Sequence, residues 1–308
     1  MLKKITSFIL SVIMILLCVS VTAFAVDEKS VNVTISVYDG SIILAPTALE
    51  VKDGTAEAYG FDVAKKDHNE VDVDGVTVMD AVVAAHKELY GDSFTSETAS
   101  DYLIMSYGYL MKSFANSTSY CSFLVNGAVP NDGVINPLYG TPTGYACDTA
   151  VLADGDNITF FFYQVKNRYD DMYAEFDSES YETTVGEELE VNISGYCPMY
   201  YGYESAEVIA QNTTALANVD VFIYENGELE KIGTTDSEGN ARLTFEKSGE
   251  YTLAAARNGE NGDAATVMTY SKVTVGEAAK SECCILRILK AVWSFILKAV
   301  HTVIDWIK

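Results

Sequence analysis

The chain has 308 residues, 44 acidic against 20 basic side chains, and a formal charge of −24. Residues 1–25 carry a net +2 and residues 280–308 a net +3, which leaves −29 for residues 26–279 (−24 less +2 and +3). A body this acidic lacks the positive footprint that nucleic-acid binding requires, and its length suffices for two domains.

Residues 1–25 read as a secretion signal. Lys3 and Lys4 open it, an apolar run follows from Ile5 to Val21, and Ala23-Phe24-Ala25 supplies an A-x-A cleavage site. An uncleaved anchor would need about 18 to 20 apolar residues without such a site. This run instead carries Ser7, Ser11, Ser20 and Thr22. A lipoprotein signal at Cys18 would need a small residue where Leu17 stands. The expectation is an exported chain, extracellular or associated with the cell surface.

Residues 28–168 form the first expected domain. Val31–Tyr38 alternates as a strand does. Ser41–Pro46 and Ala48–Val51 read as two short strands around a turn. Thr77 is placed to cap a helix with Ala81, Val82, Ala85 and Leu89 on its apolar face. A second helix is expected over about 97–105. Ser122–Val125 reads as a strand ending in the Asn126-Gly127 turn. Leu152–Tyr163 reads as a tight Asp-Gly turn feeding an apolar strand.

Three of these segments, TVMDAVVAA, YCSFLVNG and LADGDNITFFFY, occur in this order. Together they resemble the DUF4430 domain of bacterial surface proteins, which is related to the C-terminal domain of transcobalamin and intrinsic factor. The resemblance spans roughly 31–165. Tyr120 stands near the place of the family's usual tryptophan. The resemblance implies an α+β fold. It also names a corrinoid as one ligand class, although the helical domain that shares cobalamin in the carriers has no counterpart here.

An acidic join (Asp170, Asp171, Glu175, Asp177, Glu179) leads to a second expected domain over 181–276. Strands are expected at Glu188–Ile193, Val219–Glu225, Ala241–Phe245, Gly249–Ala256 and Ala265–Val275. Between them lie Thr235-Asp236-Ser237-Glu238-Gly239 and Gly249-Glu250-Tyr251-Thr252-Leu253. That frame resembles the immunoglobulin-like or Cna-B-like modules of bacterial surfaces. It implies an all-β sandwich with a glycine in a left-handed turn and a tyrosine anchoring the next strand.

Residues 280–308 have apolar positions at helical spacing, from Ile285 to Ile307, and a basic opposite side. Both tryptophans of the chain, Trp293 and Trp306, are here. This is the composition of a helix lying in a membrane interface, with Trp293, Phe295, Lys298 and Trp306 as contact residues. Docking on a partner protein or on a second copy are the alternatives. Cys283 and Cys284, just before it, could link two chains as a dimer.

No nucleophile–base set, phosphate-binding loop or metalloprotease motif is present, so no enzyme activity and no cofactor are expected. Asp72, Asp74 and Asp80 form an acidic group that reads either as a Ca²⁺ site or as a turn with a helix-dipole partner. Asp154 and Asp156, like Asp236 and Glu238, read as turn residues. Cys121 and Cys147 are a candidate disulfide; His68, His86 and His301 are scattered. The chain holds 20 tyrosines, and several sit in loops, where their flat amphipathic rings favour binding. The candidate ligand contacts are Tyr107, Tyr109, Tyr120, Asn126, Tyr139, Tyr145, Tyr200, Tyr201 and Tyr203; the competing reading is that they fill half-buried strand positions. A ligand pocket is expected between the helix that starts at Thr77 and the Tyr139–Tyr145 loop. The expected function is that of an exported, non-catalytic surface protein binding a small ligand, a glycan or a protein partner. The alternative is a structural or adhesion protein contacting host, glycan or envelope through tyrosine loops and the C-terminal helix.

Overall fold

The structure is a computed structural model that describes residues 29–106, 109–114, 121–138, 140–164, 169–259, 263–278 and 292–293. The secretion signal, Tyr107, Tyr120, Tyr139, Cys283, Cys284, Phe295, Lys298 and Trp306 lie outside the described residues. The chain is largely β, in several sheets, and divides into two compact units.

In the first unit the alternation along 31–38 produces strand β1 (Ser30–Tyr38), with Val33, Ile35 and Val37 buried. It pairs antiparallel with β2 (Ile42–Lys52) and parallel with β8 (Asn157–Phe162). β8 also pairs antiparallel with β5 (Cys121–Val125), giving the order β2-β1-β8-β5. β2 is one continuous strand where two were expected. Pro46 is tolerated because β2 is an edge strand and the register shifts between Ile35 and Val37, opposite the proline.

The apolar run of β8 is explained by burial on both faces. Ile158, Phe160 and Phe162 enter the main core, while Phe161 is buried on the other face against Tyr163. The main core is completed by the helix Val78–Tyr90, which buries Val78, Met79, Ala81, Val82, Val83 and Ala85. Thr77 is its N-cap, as its sequence position predicts. The Thr77 hydroxyl accepts from Asp80 N, and the Asp80 carboxylate accepts from Thr77 N at 2.9 Å. Asp80 also accepts from Ala56 N at 2.8 Å. The helix expected over 97–105 is only Ala99–Tyr102, because Leu103 turns into the core in extended conformation before strand β3 (Ile104–Ser106). β3 pairs with β4 (Tyr109–Lys112), and β6 (Asn131–Ile135) pairs with β7 (Pro142–Gly144).

The second unit holds a five-stranded sheet in the order β10 (Ser180–Thr184), β18 (Thr269–Gly276), β16 (Gly249–Ala256), β13 (Asp220–Glu225), β14 (Glu228–Thr234). A second sheet is built on β11 (Glu188–Tyr196), which pairs with β12 (Thr214–Ala215) at one end and β15 (Asn240–Thr244) at the other. Val191, Ile193, Val221, Leu243, Leu253 and Val273 are buried between them. A Cβ at Gly233 of β14 would stand 2.7 Å from Leu243 of β15, so the sheets meet closely there. The turn before β15 is tied by Asp236, whose side chain accepts from Glu238 N and Asn240 N. Tyr251 donates to Lys247 O at 2.9 Å and packs on Phe245. The strand expected over 265–275 is broken at Met268 into β17 (Thr266–Val267) and β18.

The boundaries differ from the contiguous domains read in the sequence: residues 196–213 and 258–268 belong to the first unit. The cause is local. Tyr196 donates its hydroxyl to Gly127 O, Val129 N donates to Gly202 O, and Met172 N donates to Ala265 O. Among the described residues no helix is long and apolar enough to cross a membrane.

Candidate functional site

Two hairpins of the first unit are fastened to one another through a single carboxylate. The shorter runs from Lys65 to Val73, closed by Val73 N donating to Lys65 O and by a bridge between Lys66 and Asp72. Its turn is built by Asp67, which accepts from Asn69 N at 2.8 Å and Val71 N at 2.9 Å, and by Glu70 in the left-handed region. The longer hairpin is β6–β7. Its tip closes through Asn136 N to Thr141 O and Gly140 N to Asn136 O.

Asp132 joins the two. One oxygen accepts from Val134 N at 2.9 Å and Thr143 N at 3.1 Å, fixing its own hairpin. The other meets His68 Nε2 and Asn69 Nδ2 of the shorter hairpin, both at 2.9 Å. The side chain is only 5% exposed. These donors, Asn69 first and then His68, hold its carboxyl well below the usual carboxylate range. The His68 ring lies 5.8 Å from the Tyr145 ring. Burial first, then the charges of Asp67 and Asp132, raises the Tyr145 hydroxyl pKa.

Large apolar side chains point outward on these hairpins: Leu138 is 84% exposed, Val134 60%, Ile135 57% and Val71 60%. A hairpin carrying such residues in water is costly unless something covers them. The base of β6–β7 is closely packed. Tyr203 lies so close to Gly144 that a Cβ there would stand 2.4 Å from its ring, and Asn131 Nδ2 donates to Val129 O.

Of the sequence candidates, Tyr145 and Tyr203 therefore meet at this hairpin. Tyr200 and Tyr201 lie on the short helix Pro198–Tyr201, Tyr200 exposed and Tyr201 half-buried. Tyr109 is in β4. Asn126 has an internal role: it sits in the left-handed region of the turn, donates to Asp156 and accepts from Asn157 N. Trp293 is exposed.

One expectation is corrected. Cys121 and Cys147 stand as thiols, not as a bridge; burial pushes the Cys121 thiol up to about 12. The first turn of the Thr77 helix is tied to the segment after Tyr145, with Val78 N donating to Ala150 O and Met79 N to Cys147 O at 2.7 Å, while Tyr139, at the far edge of the expected pocket, lies outside the described residues. Of the two readings of Asp72, Asp74 and Asp80, the helix-terminus one describes Asp80, which lies in the first helical turn. Asp80 is buried in the cap, Asp74 pairs with Lys29, and Asp72 lies in the shorter hairpin. The residues that sequence reasoning missed are His68, Asn69, Asp132 and the exposed aliphatics. The Asn131-Asp132-Gly133 run has the composition of a turn but lies in β6, and nothing in it names a partner.

No known protein family and no curated protein matches the chain. A crystal structure of InlP from Listeria monocytogenes is similar over 32% of this chain, at 14% identity and a TM-score of 0.20. The chain spans about a quarter of that protein, 26% of its length.

Proposed function

We propose that this is an exported, non-catalytic cell-surface binding protein that meets its partner through the paired hairpins of the first unit. The observation that carries the reading is the exposure of Leu138, Val134, Ile135 and Val71 on hairpins held together by Asp132. Aliphatic groups on a scaffold fixed by a charge-assisted network suit a partner with an apolar surface, because little ordering is left to be done on binding. Tyr145 and His68 beside them add aromatic and polar contact.

The first unit is read as a DUF4430-like α+β domain. Support comes from the fates of its three motifs: TVMDAVVAA opens a capped helix, residues 121–127 of the second form β5 and its Asn-Gly turn, and the last enters β8 beside β5. The second unit is read as an Ig-like sandwich on the strength of its two sheets and of Tyr251 bonding four residues upstream. Residues 280–308 hold the chain at a membrane surface. An adhesion reading draws on Tyr200 and Met199, both exposed on one short helix.

The test is binding by intact cells and by the purified chain. Leu138→Asp with Val134→Asp should weaken partner binding at least tenfold without changing thermal stability, while Tyr200→Ala leaves it unchanged. The opposite pattern would favour adhesion through the Tyr200 helix. Retention of binding in both variants, or absence of the protein from the cell surface, would overturn the proposal.

A further inference from the structure

Three sulfur atoms come together in the core of the first unit, away from the hairpins. Cys147 Sγ lies 3.8 Å from Met79 Sδ and 4.0 Å from Met105 Sδ. The backbone fixes this meeting. Met79, in the first turn of its helix, donates its N–H to Cys147 O, and Met105 is held in β3 opposite Leu110 of β4. Met79 and Cys147 are buried and Met105 is half-buried.

We propose that Cys147, Met79 and Met105 form a binding site for a monovalent soft metal ion, Cu(I). Thiolate and thioether sulfur select Cu(I), whereas carboxylate and carbonyl oxygen suit Mg²⁺ and Ca²⁺. Metal–sulfur bonds of about 2.3 Å in a trigonal plane space the sulfurs about 4 Å apart. Cys147 already stands at that separation from each methionine, and methionine's three rotatable bonds allow the small adjustment that remains.

Binding exchanges a proton for the metal. Cys147–SH and Cu⁺ give Cys147–S–Cu and H⁺: the S–H bond breaks, the S–Cu bond forms, the proton leaves to water, and copper keeps its oxidation state. The product is neutral.

The experiment is an anaerobic titration of the intact chain with Cu(I) alone, against a chromophoric Cu(I) chelator. One ion per chain is expected. Cys147→Ser should abolish retention. Met105→Leu, at a half-buried position that keeps its volume, should weaken it about tenfold with an unchanged circular-dichroism spectrum. Cys121→Ser and Cys197→Ser should leave it intact. X-ray absorption of the copper form should show three sulfur neighbours. Failure to hold Cu(I) against the chelator, retention unaffected by both Cys147→Ser and Met105→Leu, or loss in Cys121→Ser would each overturn the assignment. Should Cys147→Ser fail to fold, Met105→Leu and the sulfur count decide alone.

Discussion

His86 sits in the middle of the core helix with no solvent exposure. Phe114 stacks on it at 4.0 Å, and Phe94 and Tyr90 also flank its ring. Phe114 N donates to Nε2 at 2.9 Å, so that nitrogen is unprotonated, and Nδ1–H donates to Val82 O at 2.7 Å. The ring is a neutral tautomer with both nitrogens used, and burial lowers its pKa from 6.5 to about 4. A depressed histidine contributes stability that is present above the unfolded value and lost as pH falls. The window runs from 6.5 down to about 4, where the unfolded chain binds the extra proton. At 1.36 kcal/mol per pKa unit the loss is about 3 kcal/mol. Chemical denaturation across that window, for the wild type and for His86→Gln, isolates the effect, because the carboxylates titrate alike in both. The wild type should lose about 3 kcal/mol more than the variant on acidification. Parallel stability curves, or an NMR titration placing the folded His86 midpoint at its unfolded value, would refute the reasoning.

Three further outcomes are expected. Asp80→Ala removes the helix cap and the acceptor of Ala56 N, and should cost about 2 kcal/mol in a urea titration. Gly239→Ala should cost about 1–3 kcal/mol and lower the thermal midpoint, since its φ is +79° and a Cβ would stand 2.5 Å from Ile193 O. Removing residues 280–308 should shift the protein from the membrane fraction to the medium, measured by fractionation of cells expressing both forms.

Much of the fold was legible where one local interaction decides the conformation. Thr77 and Asp80 are three residues apart and cap each other. Asn126-Gly127 turns because both residues adopt positive φ. Asp236 and Gly239 close their own hairpin. Sequence reading failed where a distant element chose the outcome. Pro46 should break a strand, yet a bulge opposite it at the sheet edge absorbs the missing N–H. Residues 196–213 looked like part of the second domain because they follow one of its strands, but Tyr196 is bonded at Gly127. The candidate site was the least legible part. His68 and Asp132 are 64 positions apart, and nothing in either neighbourhood names the other. Asn126 stood among the candidate ligand contacts; in the fold both ends of its amide are bonded to the protein.

The central claim is that the paired hairpins meet a partner at the cell surface. Placing a photo-crosslinking residue at Leu138 in the full chain on intact cells tests it most directly. A discrete crosslinked species is expected from Leu138, absent when the residue is placed at exposed Glu230 of β14, and lost when Asp132→Ala unfastens the hairpins. No species from Leu138, the same species from Glu230, or one that persists in Asp132→Ala would contradict the account.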